Sequence, residues 1–287
     1  MLQNKVGNEQ WEWEITARTH YWGIVFKELW HYRHLSYSLI RKDFLLNYQQ
    51  TVLGPFWLLF QPLLTLATYL LVFNKLIGVS TGQLPPVLFY MSGIVLWNFF
   101  NDTFLSTSFI FKENAQLFSK VYFPRLIIPF SQMGTQILRF GIQFCMLLAM
   151  TGFYVFYKGY SFPTTYLIFT LPFTILLVGL TGLALGIAFS VITAKYRDII
   201  NLVSFGVRLL MFLTPVLYPV NFVPSNIRWI VQFNPLTSYF ELFRLSLLGE
   251  GVVSGPHLAY SIGVTLVLLG LSVVVFNKQG DKLIDVV

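Results

Sequence analysis

Charged residues are sparse along this sequence, and the gaps between them mark long apolar runs. Nothing charged stands between Asp43 and Lys75, and residues 159–194 carry no charge at all. A membrane-crossing helix needs about 20 mostly apolar residues at a rise of about 1.5 Å each. Laid into the gaps, that length predicts six crossings. They fall near residues 55–74, 86–110 with Asp102 inside, 126–156 interrupted by Arg139, within 159–194, 199–218 carrying Arg208, and 257–277. The fold class expected is therefore an all-α integral membrane protein of six transmembrane helices.

Three segments do not fit a crossing. Residues 21–48 mix Trp, Tyr, His and Arg with Leu, the make-up of an amphipathic helix lying in a membrane interface. Residues 112–124 form a short basic loop. Residues 219–256 are too apolar for a solvated loop and hold Pro219, Pro224 and Pro235. Two short helices dipping back into the membrane are expected there, since irregular backbone at that depth must be buried in protein or line a cavity. The domains expected are an N-terminal cytoplasmic segment, 1–52, and a transmembrane permease domain, 53–287.

Composition agrees. Of the 287 residues, 55% are hydrophobic and 11% charged, against about 25% charged in soluble domains. Aromatics reach 18%, more than interfacial belts alone call for, so some are expected to line a pathway. The net charge of +7 sits beside apolar spans and does not point to nucleic acid. With both termini in the cytoplasm, that side holds 13 bases: Lys5, Arg18, Lys27, Arg33, Arg41, Lys42, Lys112, Lys120, Arg125, Lys195, Arg197, Lys278 and Lys282. The outer side holds four, Lys75, Lys158, Arg228 and Arg244. The imbalance favours that orientation. No cleavable signal peptide is expected, because residues 1–43 are polar before any long apolar run.

Candidate chemistry is thin. Cys145 stands alone inside an apolar run, so neither a disulfide nor a zinc site is expected. His31 and His34 lack a clustered carboxylate or thiol, and no metal site or catalytic set is expected. No phosphate-binding loop of the G-x-x-x-x-G-K-[ST] form occurs, so the chain is not expected to bind ATP. Gly179, Gly182 and Gly186 lie in an apolar span, where small residues allow helices to approach closely. Arg139 and Arg208, charged within spans, are read as pathway residues or as paired and snorkelling cations; Asp102 is read as structural.

Several motifs are more specific. Arg41-Lys42-Asp43, then Asn47-Tyr48-Gln49-Gln50-Thr51-Val52-Leu53-Gly54-Pro55-Phe56-Trp57 and Gln61-Pro62-Leu63 resemble the start of permease subunits of polysaccharide ABC exporters. That type 2 family moves O-antigen, capsule and teichoic acid. Lys120-Val121-Tyr122-Phe123-Pro124-Arg125, with Pro129, is similar to the family's signature after its second helix. Tyr196-Arg197-Asp198-Ile199 resembles the one after its fourth. Thr214-Pro215-Val216-Leu217-Tyr218-Pro219, Asn234-Pro235-Leu236 and Phe243-Arg244 resemble its outer segment, and the tail from residue 276, with Asp285, is also similar. Asn47 departs from the pattern, which often has Arg there.

The resemblance implies a homodimer in the bacterial cytoplasmic (inner) membrane, with the pathway between two copies. It implies a separate ATPase subunit that holds ATP and Mg, with no cofactor on this chain. Docking on that subunit would involve Glu113, Asn114, Leu117, Lys120, Tyr122, Lys195, Arg197 and Asp198, together with the N-terminal helix. The substrate implied is a glycan on an undecaprenyl diphosphate carrier, surrounded by membrane lipid. Arg33, Arg41, Lys42, Trp57, Tyr69, Arg139, Arg208 and Tyr218 are the expected headgroup and pathway residues, cations for the diphosphate and rings for the sugar faces. An exporter of drugs or small lipids is the alternative. A membrane-embedded transferase is more distant, since His, Asp and Glu are too scattered for it.

Overall fold

A computed structural model describes residues 30–46, 48–49, 51–114, 117, 123–160, 167–196 and 198–283. Among them all regular structure is helical. In chain order the helices are α1 (Arg33–Leu46), α2 (Gly54–Leu76), α3 (Pro86–Ser108), α4 (Ile110–Glu113), α5 (Ile127–Lys158), α6 (Leu167–Lys195), α7 (Ile199–Leu213), α8 (Arg228–Phe233), α9 (Pro235–Leu248) and α10 (Gly255–Leu283). Four of these are long and apolar enough to cross a membrane: α2, α5, α6 and α10. Helix α3 has crossing length at 23 residues, but Asn98, Asn101 and Asp102 dilute its apolar character.

Helix α3 is the centre of the bundle. Leu88, Tyr90, Met91, Val95, Leu96 and Phe100 on it are fully enclosed. Helices α2, α5, α6 and α9 all pack on α3, and α6 in turn packs on α9 and α10. The α3–α6 contact is unusually close. A Cβ at Gly182 would lie 3.1 Å from the Phe100 carbonyl oxygen, and one at Gly186 would lie 2.5 Å from the Thr107 Cβ. Gly179 faces Phe99 of α3 and Met133 of α5 in the same way. Backbones can approach this closely only where a side chain is missing. The hydroxyls do the rest. Thr193 Oγ1 donates to the Ser108 carbonyl at 2.5 Å, which satisfies an end group of α3. Thr181, Thr265 and Tyr239 join α6, α10 and α9 through oxygen contacts of 2.9 and 2.8 Å.

Several boundaries differ from those read off the sequence. The expected 86–110 helix ends at Ser108, and Phe109 turns the chain into the short α4. The expected 199–218 helix stops at Leu213. Thr214, which precedes Pro215, is extended with φ −105° and ψ 141°, because a proline ring drives the residue before it out of the helical region. The last helix runs past 277 to Leu283. The apolar outer segment is largely helical, with a 3-10 turn at Val220–Phe222 followed by α8 and α9. Asn234 caps α9, accepting from the Leu236 N–H at 3.0 Å, with Pro235 in the first turn. The Asn234 amide also donates to Thr214 Oγ1 at 2.8 Å, so the two proline motifs of the outer segment meet.

Gly182→Leu is expected to lower both the folded yield and the melting temperature, since overpacking a tight contact costs about 1–3 kcal/mol or more. Gly263→Ala, on α10 with no atom within 4 Å of the added Cβ, should leave both unchanged. Detergent size-exclusion profiles with thermal melts of the two variants check this.

Candidate functional site

Two polar clusters and one exposed face stand out. The first cluster lies where α1 crosses the start of α5. Asp43 on α1 accepts a hydrogen bond from Gln132 Nε2 of α5 at 2.8 Å. One turn and more along α5, Arg139 donates to Gln136 at 3.3 Å and lies 5.8 Å from the ring centre of Tyr48, just after α1. The Asp102 carboxylate accepts from the Asn101 amide at 2.9 Å. Asn98 of α3 reaches Gln143 of α5 at 3.3 Å. Polar side chains thus run along the α3–α5 seam toward α1, each with a partner that offsets the cost of burial.

The short α4 projects beside this cluster. Burial holds the Asp43 carboxyl above its usual range, while Lys42, Gln132 and Arg139 pull it down. Glu113, at the exposed end of α4, is raised by partial burial and then by the Asp43 carboxylate. The charge of Asp43 on α1 is thus felt at Glu113 on α4. Asn114 donates to the Ile110 carbonyl at 3.2 Å, and Leu117 packs on the core at this end. Lys195 lies 5.0 Å over the Tyr196 ring, and Asp198 is exposed just before α7. Lys120, Tyr122, Arg197, Asn47, Asp285 and residues 1–29 lie outside the described residues.

The outward side of α1 is basic and aromatic. Arg33, Arg41 and Lys42 are exposed, with Arg33 5.5 Å over Trp30. Leu39 is buried and Ile40 occupies the space left by Gly134 of α5.

The exposed face belongs to α2 and α7, which meet where Tyr69 Oη donates to Met211 Sδ at 3.7 Å. On α2 it carries Phe56, Trp57 and Phe60; on α7, Leu202, Phe205, Leu209 and Phe212. Arg208 is exposed in the same stripe and has no hydrogen bond or ion pair among the described residues. Tyr218 folds back, donating to the Phe212 carbonyl at 2.8 Å.

The second cluster is at the opposite end of α3. Arg244 on α9 is 2% exposed. It pairs with Glu241 at 3.4 Å, donates to the Val216 carbonyl at 3.2 Å and lies 3.9 Å over the Phe89 ring. Glu241 also accepts from the Val252 N–H at 2.9 Å. Arg244 is accordingly not one of the solvated outer charges among which sequence counting places it. The signal available was the i,i+3 spacing of Glu241 and Arg244 within an apolar segment. Asp43, Tyr48, Gln132 and Gln136 also escaped the sequence reading as a group, because only the α1–α5 crossing brings them together.

No cluster of three metal-ligating side chains occurs among the described residues. What the arrangement offers is coupling between helices and a polar-dotted apolar face.

The chain resembles known proteins over most of its length. A family model described as ABC-2 type transporter matches residues 34–248. Two proteins of Klebsiella pneumoniae, each named O-antigen export system permease protein RfbA, are 28% and 29% identical, covering 84% of this chain and 90% of each relative. A protein of the same name from Myxococcus xanthus is 24% identical, over 89% of this chain and 96% of the relative.

Two stability predictions follow from these clusters. Arg244→Ala leaves the Glu241 charge buried without a partner and should cost about 3–5 kcal/mol; the double variant Glu241→Gln/Arg244→Met should recover most of the loss in a thermal melt. The raised Asp43 and Glu113 carboxyls mean that the folded chain holds protons the unfolded chain has already released. Their contribution to stability therefore falls as pH rises from the ordinary carboxylate range through the raised values. Melts from about pH 4 to about pH 7 should show this decline, and Asp43→Asn should flatten it.

Proposed function

The chain belongs to the ABC-2 type transporter family, and we propose that it is the membrane subunit of an ATP-driven exporter of lipid-linked polysaccharide. The relatives named for O-antigen export support the substrate class, since they match this chain nearly end to end. In this reading α2, α3, α5, α6, α7 with the 214–218 turn, and α10 make six crossings. Both termini are cytoplasmic, α1 lies in the cytoplasmic interface, and α8 and α9 form the re-entrant outer segment.

The observation that carries the pathway is Arg208. An arginine exposed on an otherwise apolar helix is expensive against hydrocarbon, and such residues face a water-filled route or a partner. Two copies of the α2–α7 face, turned toward each other, enclose that route. Trp57, Phe60, Phe205 and Phe212 give it ring faces that tolerate sugars of varied sequence as a polymer slides past. At its cytoplasmic mouth Arg33, Arg41 and Lys42 are placed for the carrier diphosphate, with Arg139 behind Tyr48.

The energy enters from a separate ATPase, which holds ATP and Mg. It docks on α4 and the segment through residue 123, on the end of α6 at Lys195, and on Asp198. Closure of the ATPase displaces α4, which is joined to α3 through Phe109 and packs on α6. A change of state can be driven only as far as the docking free energy differs between the two states. No bond is made or broken on this chain.

The test is reconstitution of the chain with its ATPase partner and a carrier-linked glycan in vesicles. ATP-dependent glycan crossing is the expected result, and equal crossing without ATP overturns the proposal. In the same assay Glu113→Ala should leave insertion intact and lower the glycan moved per ATP by about an order of magnitude, an effect of about 1.4 kcal/mol on the coupled step. Unchanged coupling counts against docking at α4.

A further inference from the structure

A cavity of about 280 Å³ opens at the end of the bundle opposite α1. Three loops wall it: residues 80–82 before α3, 219–222 after α7, and 250–252 between α9 and α10. Phe89, Glu241 and Arg244 also line it. The loops are fixed rather than loosely apposed. Gly82 has φ +70°, and a Cβ there would lie 3.3 Å from the Glu250 carboxylate, so the turn and the carboxylate's approach both need glycine. The 250–252 loop is tied down by the Val252 N–H bond to Glu241.

The polar groups of the wall divide into spent and unspent. Glu241 and Arg244 are occupied by each other, Val252 and Val216. The Thr81 hydroxyl donates to the Leu84 carbonyl at 2.8 Å. The Glu250 carboxylate and the Asn221 amide have no side-chain hydrogen bond among the described residues. The Ser80 hydroxyl accepts from the Gly82 N–H at 3.4 Å and keeps its proton to give. Beside them the Phe222 ring is 54% exposed.

A carboxylate acceptor, an amide that both gives and takes, a hydroxyl and an apolar ring face together complement a ring of hydroxyl groups. The wall's one base and two acids leave it with a net negative charge, which repels an acidic ligand. A metal ion lacks the ligands it needs, since no three acids, histidines or cysteines cluster among the described residues. The volume is at the small end of ligand sites, which start near about 300 Å³, and so admits one ring rather than a chain. The geometry points to an outer-side subsite for a single pyranose ring of the glycan, neutral or amino-substituted, a reading that rests on the export function proposed above.

The experiment is a saturation-transfer NMR titration of the full-length chain in lipid nanodiscs, with methyl glucopyranoside, methyl glucosaminide and methyl glucuronide as probes. The neutral and amino probes should bind, and the glucuronide should bind at least about tenfold more weakly. Asn221→Leu should weaken the neutral probe about tenfold, the scale of one or two lost hydrogen bonds. Glu250→Gln should abolish the bias against glucuronide while the neutral probe still binds. Asn221 lies in the single 3-10 turn Val220–Phe222 and Glu250 between α9 and α10, and an unchanged melting temperature confirms that each variant is folded. Absence of binding by the neutral probe, equal binding of all three probes to the unaltered chain, or indifference to both substitutions overturns the subsite. Probe binding as expected together with no ATP-dependent glycan crossing would remove the export reading and leave the sugar chemistry of the cavity standing. Normal crossing with no probe binding would remove the cavity alone.

Discussion

Everything in this bundle is arranged to keep lipid away from α3. A helix carrying Asn98, Asn101 and Asp102 along its inner half cannot face hydrocarbon without severe cost. Helices α2, α5, α6, α7 and α9 cover it, and the tightest cover comes from α6, whose glycines let the two backbones nearly touch. The contact gains dispersion energy over its whole length and places threonine hydroxyls within reach of carbonyls on the neighbouring helix. Helices α2 and α10, each exposed along one face, can then be apolar outside and only lightly polar within, while α5 carries Gln132, Gln136 and Gln143 on its buried side. The order of assembly in space is set by the least lipid-compatible element.

Each end of α3 is secured by charge rather than by apolar packing alone. At one end the Asp43–Gln132 and Arg139–Tyr48 contacts bind α1 to α5 beside the last turns of α3. At the other, Arg244 gathers α9, the turn at Val216 and the start of α3 around one guanidinium. Such pairs contribute little net stability compared with apolar packing, yet they are costly to break. They hold segments in register. A displacement of α4 is therefore passed on by stiff helices joined at defined points, not absorbed by a soft interior.

Much of this was legible in the sequence, and the reasons for the gaps are physical. Helices α2, α5, α6 and α10 are legible because membrane crossings with lipid-facing sides require unbroken apolar runs. The all-helical class follows from the same fact. The stop of α7 at Leu213 hides in a run that stays apolar through Tyr218, and only the Thr214–Pro215 pair marks it. The charge count used for orientation treats any base outside a span as solvated, so it misplaces Arg244, whose partner three residues away settles its burial. The meeting of Asp43 with Gln132, 89 positions along the chain, has no local signature. The glycines of α6 announce close approach, but not that α3 is the helix approached.

Helix α5 has a consequence of its own. Its 32 residues extend about 48 Å, against a hydrocarbon thickness of about 30 Å. Fitting that length inside would demand an inclination of about 50°, steeper than the 0–40° seen for spanning helices. The apolar run begins near Phe140, whereas Ser131, Gln132, Thr135 and Gln136 crowd the first turns. The length beyond one hydrocarbon thickness therefore coincides with the polar first turns, where α5 meets α1. Helix α1 is clamped to these turns by the Asp43–Gln132 bond and by Ile40 against Gly134, so its place is set by a neighbour rather than by its own affinity for lipid.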